Sequence, residues 1–155
     1  MTDQGSALRL RLEGDALLFI ASVGGASQRI EGSVSSIRNA LGSGNLTEAK
    51  VESAIAQIED LIMPIIRALP ASERFEIDGA ELVEVIELLS DDHQAVISIE
   101  SVEGLFNQLV NYVSGSPSAW RQPIPATRVV LGLVVLREVM HHGGFSTVRP
   151  LHHAE

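Results

Sequence analysis

The sequence predicts an α+β fold: an N-terminal antiparallel hairpin or small sheet packed against four to five helices, with a buried helix near the C-terminus. Residues 7–13 alternate cleanly, Leu8, Leu10 and Leu12 to one side and Arg9, Arg11 and Glu13 to the other, which is the period of a half-buried strand. Over residues 45–69 the period changes. Val51, Ile55, Ile58, Ile62, Ile65 and Leu69 follow one another at steps of four and three, which places them on one face of a helix. Residues 126–142 then carry Val129, Val130, Leu131, Leu133, Val134, Val135, Leu136, Val139 and Met140. That density leaves almost no polar face, so this helix must be covered on several sides.

Taken in order, Ala16–Val23 returns against the first strand through Glu13-Gly14-Asp15, and Gly24-Gly25 ends it. A third strand starts at Ser27 and is expected to give way near Ile30 to a short helix over residues 33–41. Gly42-Ser43-Gly44 stops that helix. The main helix opens on a capping box of Asn45 and Glu48. Pro64 leaves the Asp60 carbonyl without its donor, so a kink is expected, and Pro70 closes the helix. An extended piece covers 74–77. Asp78 and Glu81 read as a second capping box for a helix through Leu89.

Residues 95–100 are β-branched and compact enough for a strand, although one long helix from 93 to 113 competes with that assignment. Ser101 is expected to cap a helix carrying Leu105, Phe106, Leu109 and Val113. Residues 114–125 form a loop holding Trp120, a side chain that would either anchor a partner or fold back over the core. Gly143-Gly144 caps the last helix, 145–151 return as an edge strand, and 152–155 fray. The expected organisation is a single domain over residues 1–155: mainly β to residue 33, mainly helical over 34–143, then the edge strand and tail.

A 155-residue chain buries roughly 70% of its unfolded surface, enough for one substantial core. The absence of cysteine excludes disulfides, thiolate metal sites and a cysteine nucleophile. A net charge of −9, with Lys50 the sole lysine and the arginines scattered, argues against nucleic acid as a partner. The first residues lack a charged start followed by a long apolar run, and the longest apolar run, residues 129–136, is far too short to span a bilayer. No membrane partner and a cytoplasmic location are therefore expected.

Chemistry is sparsely signalled. His141-His142 end the last helix and His152-His153 follow near the terminus. Imidazoles are common metal ligands, yet adjacent histidines on a helix point about 100° apart, and a helix C-terminus welcomes histidine through its dipole alone. Asp91-Asp92-His93 reads as ordinary loop chemistry. Arg9 and Arg11 could grip a carboxylate or phosphate group, or simply keep an exposed strand soluble. Residues 42–45 precede a helix but lack the lysine and spacing of a phosphate loop, and no G-x-S-x-G elbow is present. Glu81, Glu84 and Glu87 belong on a solvated helix face.

With no converging polar constellation, the favoured expectation is a non-catalytic interaction or regulatory module, a homodimer with no cofactor. Its apolar seam would run through Val51, Ile55, Ile58 and Ile62. The alternative is a metal-dependent hydrolase or metal-binding protein using His141 and His142.

Overall fold

The computed structural model describes residues 5–42, 44–92, 96–115 and 127–151. The elements run β1 (Ala7–Glu13), β2 (Ala16–Val23), β3 (Ala26–Ser33), α1 (Ser35–Leu41), α2 (Glu48–Ala68), β4 (Arg74–Asp78), α3 (Ala80–Leu89), β5 (Ile97–Ser98), α4 (Ile99–Val113), α5 (Thr127–Gly143) and β6 (Thr147–Pro150). The fold is α+β, as the residue pattern predicts. Its strands form one six-stranded sheet in the order β3-β2-β1-β4-β6-β5. β1, β2 and β3 are antiparallel neighbours, β4 and β6 run parallel to β1, and β5 is antiparallel to β6.

The sheet is therefore not confined to the N-terminus, and β6 is interior, between β4 and β5, rather than the expected edge strand. A parallel partner for β1 must arrive by a long crossover, and α1 and α2 provide it. Nothing in the four residues of β6 announces its neighbours.

Local chemistry departs from expectation at several ends. β3 continues to Ser33, because Ile30, Glu31 and Gly32 pair with Phe19, Leu18 and Leu17. At Gly32 a Cβ would lie 2.9 Å from Leu61 Cδ1, so the glycine leaves room for that side chain of α2. α2 is capped by Thr47, whose hydroxyl accepts from the Lys50 amide at 3.2 Å, while Asn45 offers its carbonyl to Lys50 Nζ. The helix continues through Pro64 to Ala68. Of the described residues 96–100 only 97–98 are β, Ala95 lying outside the described residues, and Ser98, not Ser101, caps α4.

One face of the sheet and every helix share a single core. Leu8, Leu10, Leu12, Leu17, Phe19, Phe75 and Ile77 meet it from the strands, and α5 contributes almost its whole length from Val129 to Met140. At Gly132 a Cβ would meet the Glu81 carbonyl oxygen at 2.8 Å, so the glycine sets the close approach of α3 to α5. Val51, Ile58 and Ile62 are 2%, 0% and 0% exposed, and Ile55 packs partly buried against the same cluster. The expected seam is thus spent inside the subunit, because the 3–4 spacing that suits a partner helix suits the chain's own sheet and α5 equally well. Among the described residues no helix is long and apolar enough to cross a membrane.

Candidate functional site

In open sheets with parallel strands, ligands bind beyond the carboxyl ends of those strands. Here that edge is formed where β1 turns into β2 and where β4 passes into α3. Gly14 makes the first turn with φ 59°. Gly79 makes the second with φ 103°, and a Cβ on it would collide with the Leu12 carbonyl oxygen. The start of α3 is consequently held against the end of β1, and no side chain caps its first turn.

Arg38 of α1 reaches into this edge and ties it together. Its Nε donates to Asp15 Oδ1 at 3.0 Å, its Nη2 to the Gly14 carbonyl at 2.7 Å and to Glu81 Oε1 at 3.0 Å, and its Nη1 to Glu81 Oε2 at 3.2 Å. Partial burial works against the charged guanidinium, but the hydrogen bonds to Glu81 and Asp15 more than offset it and hold the pKa above the ordinary value. On the strand face opposite Leu10 and Leu12, Arg11 Nε lies 3.4 Å from Glu13 Oε2 and 3.8 Å from Asp78 Oδ2. Asp78 Oδ1 accepts the Gly79 amide at 2.8 Å, which fixes the carboxylate's orientation. The carboxyl edge thus carries two separate ion-paired groups, Arg38 with Asp15 and Glu81, and Arg11 with Glu13 and Asp78.

A second polar cluster lies between α2 and α5. Glu59, Glu138 and His142 each place one ligating atom within 4.8 Å of the others. His142 Nε2 is 3.8 Å from Glu138 Oε1 and 3.9 Å from Glu59 Oε1. The Glu138 side chain is only 1% exposed. Its Oε2 accepts from Arg137 Nη1 at 2.9 Å, whereas Oε1 is buried and, among the described residues, meets no N–H or hydroxyl donor, only the neighbouring Glu59 carboxyl and His142. Burial foremost, with the Glu59 carboxylate beside it, pushes the Glu138 carboxyl up to about 7 against the opposing pull of Arg137. Arg137 is in turn stacked 4.4 Å over the Phe106 ring, with Glu103 at 3.8 Å.

Of the expected metal ligands, His142 enters this cluster. The His141 residue is exposed, meets the His142 ring edge-on at 5.2 Å and is not among the residues whose ligating atoms converge. Arg9 and Arg11 do share a strand face, but Arg9 stands opposite Ile20 and Glu76 while Arg11 faces Asp78. His93, Trp120, His152 and His153 lie outside the described residues. Residue patterns missed Arg38 as the hub of the edge, and Glu81 lies not on a solvated face but in the grip of that arginine. Glu59 and Glu138 were missed too, although the sequence holds a signal for Glu138: a lone carboxylate four residues before His142, beside Arg137 in a long and mostly apolar run.

No family model and no curated protein matches the chain. The class of fold, however, is defined by solved structures. A Ppx/GppA family member from Aquifex aeolicus aligns with 96% of this chain and 52% of its own at 11% identity and a TM-score of 0.70. An exopolyphosphatase-like protein aligns over 97% and 56% at 12% identity with a TM-score of 0.74. An exopolyphosphatase from Cytophaga hutchinsonii aligns over 96% and 53% at 12% identity with a TM-score of 0.67. The chain spans about half the length of the structures it resembles, and at these identities the likeness establishes the fold. These neighbours are enzymes, which overturns the expectation of a non-catalytic, regulatory protein-binding module. That expectation rested on unspent apolar helical surface, and the surface is consumed by the core.

Proposed function

We propose that the chain is a phosphohydrolase-type domain that works at the carboxyl edge of its sheet. Its substrate class is a phosphate ester or phosphoanhydride accompanied by a divalent cation. The observation that supports this most is the likeness of the whole chain to half of Ppx/GppA and exopolyphosphatase structures. The chemistry of the edge gives the reading its form. Arg11, the more exposed arginine, offers positive charge to phosphoryl oxygens, while Arg38 holds the edge in shape through Asp15, Gly14 and Glu81. Glu13, Asp15, Asp78 and Glu81 outnumber the two arginines, so a bare phosphate would be repelled and a cation must come with it. In the hydrolytic step a water oxygen bonds to phosphorus, the bond to the leaving oxygen breaks with its electron pair on that oxygen, and the water proton passes to the Asp78 carboxylate, which releases it to the leaving oxygen or to solvent.

The test is phosphate release from p-nitrophenyl phosphate and from inorganic polyphosphate in the presence of magnesium. Steady turnover is expected, falling by about 100-fold or more in Asp78→Asn, the usual scale for loss of a positioned base. No phosphate released above the buffer rate, or an Asp78→Asn variant as active as the parent chain, would overturn the proposal.

A further inference from the structure

The cluster between α2 and α5 has no part in that chemistry. α5 ends just before β6 begins, and Phe145, in the connection, stacks at 4.8 Å on Phe75 near the start of β4. The C-terminal end of α5 therefore lies towards the amino ends of the parallel strands, opposite the Asp15–Arg38–Glu81 edge. We propose that Glu59, Glu138 and His142 bind one divalent transition-metal ion, zinc being the best fit, which bridges α2 to α5.

The geometry points there in three ways. First, Glu138 Oε1 is buried with no donor among the described residues, and its neighbours in the cluster are the Glu59 carboxylate and His142 Nε2. Two carboxylates are acceptors only, so their approach is satisfied by a shared proton or by a cation. Second, the spacing is right. His142 Nε2 stands 3.8 and 3.9 Å from the two glutamate oxygens. Ligand atoms on a tetrahedral zinc, bonded at ~2.0–2.2 Å, stand about 3.4 Å apart, so shifts of roughly half an ångström bring the imidazole to its distance from each carboxylate, and the two carboxylate oxygens start within 4.8 Å of each other. Third, the charges suit a dication: two carboxylates match it, and the charge of Arg137, which already holds Glu138 Oε2, is faced by Glu103. Arg137 completes the arrangement by holding Glu138 Oε2, as outer groups commonly orient a ligating carboxylate. One imidazole and two carboxylates leave the fourth position to water. Zinc outranks manganese at such a nitrogen-and-oxygen site.

The experiment is isothermal titration of the chelator-treated full chain with zinc alone, alongside Glu59→Gln, His142→Gln and His141→Ala. Glu59 is 44% exposed at its side chain, so its substitution leaves the core intact. The expected result is one zinc per chain, affinity reduced at least 10-fold in Glu59→Gln and in His142→Gln, and little change in His141→Ala. Zinc should also raise the melting temperature of the parent chain but not of Glu59→Gln. No zinc uptake, or uptake that is indifferent to Glu59→Gln and His142→Gln, would overturn the proposal. So would uptake lost only in His141→Ala. Because phosphate release depends on Asp78 and not on these residues, failure here and failure of the phosphohydrolase proposal are read separately.

Discussion

Arg38 and Glu81, forty-three residues apart in the chain, meet in a two-pronged ion pair with Nη2–Oε1 at 3.0 Å and Nη1–Oε2 at 3.2 Å. The pair fastens α1 to the first turn of α3 across the carboxyl edge of the sheet, and the same guanidinium holds the β1–β2 turn through Gly14 and Asp15. A fork-on-fork pair of this kind is stronger than a mobile surface contact, because both hydrogen bonds are fixed by one geometry. Lysine cannot reproduce it. Arg38→Lys is expected to lower unfolding stability by about 2 kcal/mol, the scale of a hydrogen bond to a charged group. Urea denaturation checks this, and an unchanged midpoint would mean that the pair contributes nothing.

Two glycines set the distances on which the edge depends. At Gly132 a Cβ would press on the Glu81 carbonyl at 2.8 Å, so Gly132→Ala should push α3 from α5 and cost about 1–3 kcal/mol, as overpacking does. Gly79→Ala is expected to be worse, since φ of 103° disfavours any side chain and the Leu12 carbonyl blocks it. Thermal melts of the two variants should rank them in that order.

The face of α2 that looked available to a partner is instead a core contact. Ile58→Ala, at a position 0% exposed, is expected to cost about 2–5 kcal/mol. Ile55→Ala, only partly buried beside it, should cost clearly less. Equal losses at the two positions in chemical denaturation would contradict the packing described.

Glu138 makes stability depend on pH in the metal-free chain. Its carboxyl is raised from 4.5 to about 7, so the native state holds a proton that the unfolded chain releases earlier. The stabilisation is full below the unfolded value and is lost as pH rises through the folded one, with a total on the order of 3 kcal/mol. The groups facing Glu138 are Glu59 from α2, with His142 and Arg137 on α5, and Glu103 of α4 stands behind Arg137. Melting temperatures in chelator should fall from about pH 5 to about pH 8, and Glu138→Gln, neutral throughout, should flatten that slope. A parent profile as flat as the variant's would refute the assignment.

Much of the fold was legible because its signals are local. The alternation of Leu8, Leu10 and Leu12 and the 3–4 steps from Val51 to Ile65 are records of which side faces the core, and the structure puts these residues there. Boundaries were less legible where two periods overlap: Ile30, Val34, Ile37 and Leu41 are spaced for a helix, yet Ile30 pairs with Phe19 in the sheet. Strand order was not legible at all, since β4 and β6 choose their partners through crossovers that leave no mark on the strands. The site follows the same logic. Arg38 becomes a hub only when Asp15 and Glu81, twenty-three and forty-three residues away, are folded beside it. His142 could be suspected from its own chemistry, but its neighbour Glu59 comes from a different helix.

The central claim is that phosphoryl compounds engage the carboxyl edge, and amide chemical-shift mapping with tripolyphosphate and magnesium reads it directly. The shifts should concentrate at Gly14, Asp15, Gly79 and Glu81, saturate with ligand, and weaken in Arg38→Lys. Resonances at that edge that stay still while tripolyphosphate is bound elsewhere, or not bound at all, would contradict the account.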